Sequence, residues 1–223
     1  MYVKKTMGDY IYEDLKEGIS KLVYAPGEKL SETVLSQKYG VSRAPIRDAF
    51  TKLEREGLVR IFPQSGTIVS PISEKKAMDI CEIRMLFETY AVKKAAEKIT
   101  DEHVRELDRQ FQHLEATEKG TDEKRQTVFE VDRFMHDLIL TLCGNDEITK
   151  ILDTFKPEIR RIQLSNSLHN LRFIDSEQEM IAIYRALRER NTEDAGKAME
   201  THIGNIQKAV KKYLMDLAIE KGE

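Results

Sequence analysis

Apolar residues recur every three or four positions over most of the chain, which is the period of an α-helix. Within residues 27–69 the pattern predicts a short helix after Ser31, a turn at Gly40, and a second helix with Pro45 in its first turn. Ser31 and Ser42 are suited to cap these helices, because a serine oxygen can accept a bond from the free amides of a helix start. The expected buried positions are Val34, Leu35 and Tyr39 in the first helix, and Ile46, Phe50 and Leu53 in the second.

A glycine-tipped hairpin follows the second helix. Pro63-Gln64-Ser65-Gly66 has the composition of a tight turn and precedes the strand-like run Thr67-Ile68-Val69. A helix, a turn, a second helix and a hairpin in this order form a winged helix-turn-helix, which reads DNA. The second helix would then present Arg43 and Arg47 to base edges and phosphates, while Gly66 approaches the neighbouring groove.

The segment resembles the winged helix-turn-helix of the GntR family of bacterial transcription regulators. The resemblance implies that Arg43, Arg47 and the wing around Gly66 contact operator DNA. With Ser42, these are the predicted DNA-binding residues. The alternative for any one cation is a solvated surface charge, and Lys52 fits that alternative better. The matching residues are Gly27, Leu30, Ser31-Glu32, Leu35, Gly40-Val41-Ser42-Arg43, Pro45, Arg47, Leu53, Glu56-Gly57-Leu58 and Gly66.

The pattern changes after residues 69–73, where a proline precedes long helical periods. This change divides the chain into a DNA-binding domain, residues 1–72, and an all-helical domain, residues 73–223. The fold is therefore mostly α, with a small-molecule pocket expected inside the second domain. Pro157 should kink its helix. The predicted helices cover residues 74–98, 101–118, 121–143, 147–168, 175–190 and 192–218.

This second domain resembles the FCD effector domain of the FadR subgroup within the GntR family. The resemblance implies effector binding and dimerisation. It rests on three segments: residues 82–88, reading EIRMLFE; residues 132–136, reading DRFMH, followed by Gly144-Asn145; and residues 179–187, reading EMIAIYRAL, followed by residues 198–202, reading AMETH.

Many FCD domains bind a divalent metal ion through one aspartate and three histidines. Asp132 and His136 are four residues apart and share one helix face, and His202 would add a second imidazole. At the remaining position the family has histidine, whereas this chain has Met180, a soft ligand unsuited to zinc, nickel or manganese. Two explanations stay open, a metal on three protein ligands or a metal-free remnant that binds the effector directly. His169 is a weaker substitute, because it falls in a loop-like stretch.

Arg84 is the candidate anion ligand, because the family's equivalent arginine lines the cavity and a guanidinium can hold a carboxylate with two bonds. An equally good interpretation is an ion pair with Glu88, four residues further on. The predicted effector-binding residues are Arg84, Asp132, His136, Met180 and His202.

Composition agrees with a soluble, helix-rich protein, with 40% hydrophobic and 34% charged residues in 223. The net charge of −3 is distributed unevenly between the two predicted domains. Residues 1–72 hold 11 Lys and Arg against 9 Asp and Glu, whereas residues 73–223 hold 25 against 30. The weakly basic first domain suits local attraction to phosphate. Without a membrane span or secretory segment, we expect a cytoplasmic protein, with Cys81 and Cys143 as buried thiols.

These features predict a sequence-specific DNA-binding regulator. The resemblance implies that it is a homodimeric repressor, released from its operator by a small carboxylate effector. The first alternative is a metal-dependent hydrolase-like enzyme using Asp132, His136 and His202, although the sequence offers no separate nucleophile or general base. The second is an architectural DNA-binding protein. Specific release by a ligand would favour the regulator, turnover the enzyme, and sequence-indifferent binding the architectural protein.

Overall fold

The computed structural model describes residues 5–169 and 173–221, and it describes side chains at residues 5–165, 175–213 and 215. The predicted mostly α fold is confirmed. Each predicted helix of the second half is found, and its ends lie within three residues of the predicted ends. In chain order the elements are α1 (Met7–Ser20), β1 (Lys29–Leu30), α2 (Glu32–Tyr39), α3 (Arg43–Arg55), β2 (Val59–Phe62), β3 (Gly66–Val69), α4 (Glu74–Lys98), α5 (Asp101–Ala116), α6 (Asp122–Cys143), α7 (Asp146–His169), α8 (Phe173–Arg188) and α9 (Thr192–Lys221).

The chain forms two compact units, and the first contains residues 1–73 together with residues 154–165 of α7. Its core lies between α1, α2, α3 and the sheet. Helix α1 starts with a capping box, in which Thr6 and Asp9 each satisfy the other's backbone amide. Neither α1 nor β1 was predicted from the sequence. The buried apolar residues of this core are Ile11, Leu15, Ile19, Leu30, Leu35, Ile46, Ala49, Phe50, Leu53, Leu58, Val59 and Val69.

The predicted hairpin is present as an antiparallel pair, β2 and β3, and β1 completes a sheet of order β1-β3-β2. Phe62 is opposite Gly66 across the turn. Gly66 has a φ of +105°, and a Cβ atom there would come within 2.8 Å of Lys29 Cε. Glycine at this position therefore fits both the backbone conformation and the neighbouring side chain.

Two predictions about α2 and α3 need correction. Val34 is 60% exposed, whereas Leu35 is 4% exposed. Adjacent helical residues point about 100° apart, and in the short helix α2 the side of Leu35 faces the core while the side of Val34 faces solvent. Ser42 is the N-cap residue of α3, but its side chain makes no capping hydrogen bond.

The second unit contains residues 74–153 and 166–223, and α4 lies at its centre with α6, α8 and α9 against it. Cys81 and Cys143 are buried thiols, as predicted. Helix α7 continues through Pro157 and includes His169, so the loop-like conformation predicted for His169 is wrong. The side chain of His169 lies outside the described residues. Within the described part of the chain, each helix is too short or too polar to cross a membrane.

Candidate functional site

The two predicted DNA-reading arginines lie on the first two turns of α3, and both contact α2. Arg47 Nε is 3.0 Å from each carboxylate oxygen of Glu32. Arg43 donates through Nη2 to Thr33 Oγ1 at 3.2 Å. The side chain of Arg47 is still 64% exposed. Residues of α2 therefore orient both guanidinium groups while leaving their outer faces accessible.

The orienting role of Glu32 and Thr33 was not predicted. Glu32 belongs to the matched Ser31-Glu32 pair, but its partner lies 15 residues further on, in the next helix. A contact between two helices depends on their packing angle, which the spacing of residues along one helix does not reveal.

The predicted ligand residues of the second unit converge on one point. Asp132 and His136 lie on α6, and His202 lies on α9. His136 Nε2 is 3.4 Å from His202 Nε2, and Asp132 Oδ1 is 3.6 and 3.5 Å from these two nitrogens. Asp132 is 6% exposed and His202 is fully buried, so the three atoms lie in the interior of the unit.

Each imidazole is held by a carboxylate on its other nitrogen. His136 Nδ1 lies 2.7 Å from Glu88 Oε2 on α4, and His202 Nδ1 lies 2.9 Å from Glu179 Oε2 on α8. An ionised carboxylate only accepts hydrogen bonds, so both Nδ1 atoms carry protons. The two Nε2 atoms therefore face Asp132. The carboxylate partners, Glu88 and Glu179, were not predicted, although Glu179 anchored the sequence match next to Met180.

The buried charges of this cluster balance one another. Burial alone would lower the pKa of His136, but the carboxylates of Glu88 and Asp132 raise it to about 10. Burial opposes the charge on Glu88 as well, yet Arg84 and His136 hold its pKa below the usual value. The pKa of Asp132 is likewise lowered, against the effect of burial, by His136 and His202. His136 is therefore a cation between two carboxylates.

The donor set fits a divalent transition metal ion. Three ligand atoms around a tetrahedral zinc ion lie about 3.3 Å apart, and the observed separations of 3.4 to 3.6 Å are close to this value. Two imidazoles and one carboxylate are ligands that zinc and nickel prefer. Glu88 and Glu179 are the kind of outer carboxylate that normally orients metal-binding histidines. A metal ion would replace the proton on His136.

Arg84 forms the ion pair that the sequence offered as one of two interpretations. Its Nε lies 2.7 Å from Glu88 Oε1, and both side chains are buried. Arg84, Glu88 and His136 thus form one chain of contacts from α4 to α6. The role of Arg84 as an anion ligand stays a prediction. Met180 is fully buried on α8, and its position at the ligand cluster also stays a prediction.

Comparison with known proteins identifies two matching families. The model described as "Bacterial regulatory proteins, gntR family" matches residues 8–69, and the model of the FCD domain matches residues 79–205. The chain is 29% identical over 208 residues to the HTH-type transcriptional repressor RspR of Escherichia coli, covering 90% of this chain and 87% of that protein.

Two further proteins are similar to this chain over most of its length. The HTH-type transcriptional repressor NanR of Cronobacter sakazakii is 28% identical over an alignment of 236 positions, which covers 91% of this chain and 85% of that protein. The solved structure of McbR/YncC from E. coli superposes with a TM-score of 0.75 at 18% identity, covering 94% of this chain and all of that one. Because its sequence identity is low, the McbR/YncC structure supports the fold of this chain alone.

Proposed function

The chain belongs to the gntR family of bacterial regulatory proteins, and from that premise we propose that it is a homodimeric repressor controlled by a small organic acid and a divalent metal ion. Family membership makes it a DNA-binding transcription regulator with an effector domain, rather than an enzyme. Beyond what family membership shows, we propose that it acts as a repressor in the cytoplasm, that its ligands are a small organic acid and a divalent metal ion, and that the residues named below form its sites. The names of RspR and NanR support repression.

The observation that carries the metal-dependent part is the pair of histidines held by carboxylates. Glu88 and Glu179 direct the Nε2 atoms of His136 and His202 toward Asp132, which leaves three donors around one point. These three residues would hold the ion. When bound, the ion would supply a Lewis acid for a carboxylate oxygen of the effector. Arg84 and Met180 are the proposed further contacts of the effector.

On the DNA side, the proposal assigns recognition to Ser42, Arg43, Arg47 and Gly66. Arg43 and Arg47 are exposed at the N-terminal end of α3, where a recognition helix meets the major groove. The hydroxyl of Ser42 makes no capping bond, so it can serve a phosphate. Two copies of this DNA-binding domain would read the two halves of a two-fold operator.

Release of DNA requires the effector to bind more tightly to the form that does not bind DNA. A ligand with equal affinity for both forms does not shift the equilibrium between them, however tightly it binds. Residues 1–72 and 73–223 are the proposed DNA-binding and effector domains.

Native mass spectrometry with elemental analysis tests the metal site directly. We expect one divalent ion per chain in the wild type, and loss of that ion in Asp132→Ala. Zinc affinities from calorimetry provide the second readout, under identical buffer conditions. Equal zinc affinities in the wild type and in Asp132→Ala would contradict the proposed ligand set.

The carboxylates behind the histidines lead to a separate prediction. Replacing Glu179 with alanine removes the acceptor that orients His202, so zinc affinity should fall about 10- to 100-fold. Glu189→Ala is the matched control, because it removes an exposed carboxylate just beyond the end of α8. Calorimetric titration of both variants checks this. A loss of equal size in the two variants would show that Glu179 acts only through general charge.

One substitution supplies the histidine that the family has as its fourth metal ligand. Met180→His replaces a thioether by an imidazole, so zinc and nickel should bind more tightly to the variant. Calorimetric titration with both ions decides the question. Equal affinity in the two proteins would place Met180 outside the site, and would mean that the family position assigned to it lies elsewhere.

A further inference from the structure

Helix α9 places a second polar side chain one turn after His202. Asn205 is three residues further along, so the two side chains share one face of the helix. Glu179 of α8 contacts both of them, each with a different oxygen of its carboxylate. Its Oε2 lies 2.9 Å from His202 Nδ1, and its Oε1 lies 2.8 Å from Asn205 Nδ2. The carboxylate therefore bridges two successive turns of α9.

The amide of Asn205 has one direction that suits its neighbours. An ionised carboxylate only accepts hydrogen bonds, so the NH₂ group of Asn205 faces Glu179. The amide oxygen of Asn205 in turn accepts from Lys208 Nζ at 3.5 Å. The reversed amide would place its oxygen against the carboxylate and its NH₂ group beside a cation. The contacts on both sides therefore determine the direction of this side chain.

The bond from Asn205 restricts the carboxylate of Glu179. A glutamate side chain rotates about three bonds, and holding it in one position costs conformational entropy. The side chain of Glu179 is 9% exposed, so water has little access to its oxygens. Because each oxygen is bound to a donor on α9, the carboxylate cannot turn without breaking one of these bonds. Two donors on one helix therefore hold it in a single orientation.

The orientation of Glu179 determines the orientation of the His202 ring. Rotating the ring by half a turn about its bond to Cβ would exchange Nδ1 with Cδ2 and Nε2 with Cε1. The bond to Glu179 would then be lost, and so would the 3.5 Å approach of Nε2 to Asp132 Oδ1. A carboxylate in a fixed position opposes this rotation. Asn205 therefore acts on the Nε2 atom of His202 from the far side of Glu179.

The other histidine of the site has an equivalent arrangement. Glu88 accepts from His136 Nδ1 through Oε2 at 2.7 Å, and its Oε1 lies 2.7 Å from Arg84 Nε. In both cases one carboxylate oxygen holds an imidazole, and the other oxygen is held by a further donor. The occurrence of the same three-residue chain behind each histidine supports a common role for the outer donors, Arg84 and Asn205.

We propose that Asn205 is a positioning residue, which holds Glu179 in the orientation that fixes the His202 ring among the proposed metal ligands. The proposal deepens the metal-binding part of the proposed function and rests on it in one of two tests. The other test uses the metal-free protein, so that the two proposals can fail separately.

Proton NMR of the metal-free full chain provides the first test. The Nδ1 proton of His202 is buried and bonded to a fixed acceptor, so it should give a slowly exchanging signal, which His202→Gln identifies by its absence. We expect Asn205→Leu to lose this signal through exchange with water. Gln110→Leu is the matched control, because it removes an amide that donates to Glu106 at 2.9 Å on α5, and it should keep the signal. An unchanged signal in Asn205→Leu would overturn the proposal.

Zinc affinities from calorimetry provide the second test. Asn205→Leu and Asn205→Ala should each bind zinc about tenfold more weakly, at the lower end of the effects seen when a partner behind a metal-binding histidine is removed. In the Glu179→Ala background, Asn205→Leu should cause no further loss, because it acts through that carboxylate. Additive losses in the double variant, or wild-type affinity in both single Asn205 variants, would overturn the proposal. A wild type that binds no zinc would contradict the metal-binding part of the proposed function, and the NMR comparison would still decide the role of Asn205.

Discussion

We expect Arg47→Ala to lower the affinity for the specific operator by about 1–3 kcal/mol per half-site, which is about 5- to 150-fold for each. The side chain is 64% exposed and its ion pair with Glu32 lies at the surface, so the first unit should keep its fold. A guanidinium that reads base edges contributes to specificity, and its removal should also relax the preferred sequence. Fluorescence anisotropy with an operator selected in vitro measures the loss.

Arg55→Ala is the matched control for this experiment. Arg55 is exposed in the last turn of the same helix, three turns from its N-terminal end, and it carries the same charge. Both variants are compared at one salt concentration, because phosphate contacts depend strongly on ionic strength. An Arg47→Ala variant that binds like Arg55→Ala would show that α3 does not read DNA through this residue.

We also expect a large loss of folding stability when Arg161 is replaced, because its side chain is fully buried in the first unit. Its Nη1 lies 2.8 Å from Glu158 Oε2, and its Nη2 donates to the backbone carbonyl of Ser70. Arg161→Ala removes a buried cation from a buried carboxylate, which costs about 3–5 kcal/mol of stability. The carbonyl at the end of the wing also loses its donor. Loss of far-UV circular dichroism in urea measures the change.

The neighbouring arginine supplies an internal control. Arg160 lies 3.6 Å from Glu17, but these side chains are 35% and 54% exposed. An exposed pair contributes about 0–1 kcal/mol, so Arg160→Ala should shift the urea midpoint little. Similar midpoints for the two variants would mean that the buried Arg161, through its bond to the Ser70 carbonyl, does not hold residues 154–165 against the rest of the first unit.

Periodicity and capping were enough to predict most of the fold, because both are local properties of the chain. The helices of the second unit, the hairpin at Gly66 and the start of α3 all follow from short-range patterns. The error at Val34 arose because an apolar residue was assigned to a face without regard to its angle from Leu35. Helix α1 was missed, although Ile11, Leu15 and Ile19 have helical spacing and Thr6 begins a capping box.

The ligand cluster was only partly accessible from the sequence. Asp132 and His136 are four residues apart on one helix, so that local geometry brings them together. His202 was identified through a family resemblance, and the structure places it 3.4 Å from His136. The supporting carboxylates, Glu88 and Glu179, come from two other helices. Sequence spacing cannot show such contacts, because they depend on how four helices pack.

Recognition of a specific DNA sequence is the property on which the regulatory function depends, and one measurement tests it most directly. Purified protein selects binding sites from fragmented genomic DNA, and its dissociation constants for the best site and for a scrambled copy are then measured at one physiological salt concentration. We expect the selected site to be a two-fold repeat, bound at least about 1,000-fold more tightly than the scrambled copy. Equal affinity for the two DNAs would contradict sequence-specific recognition.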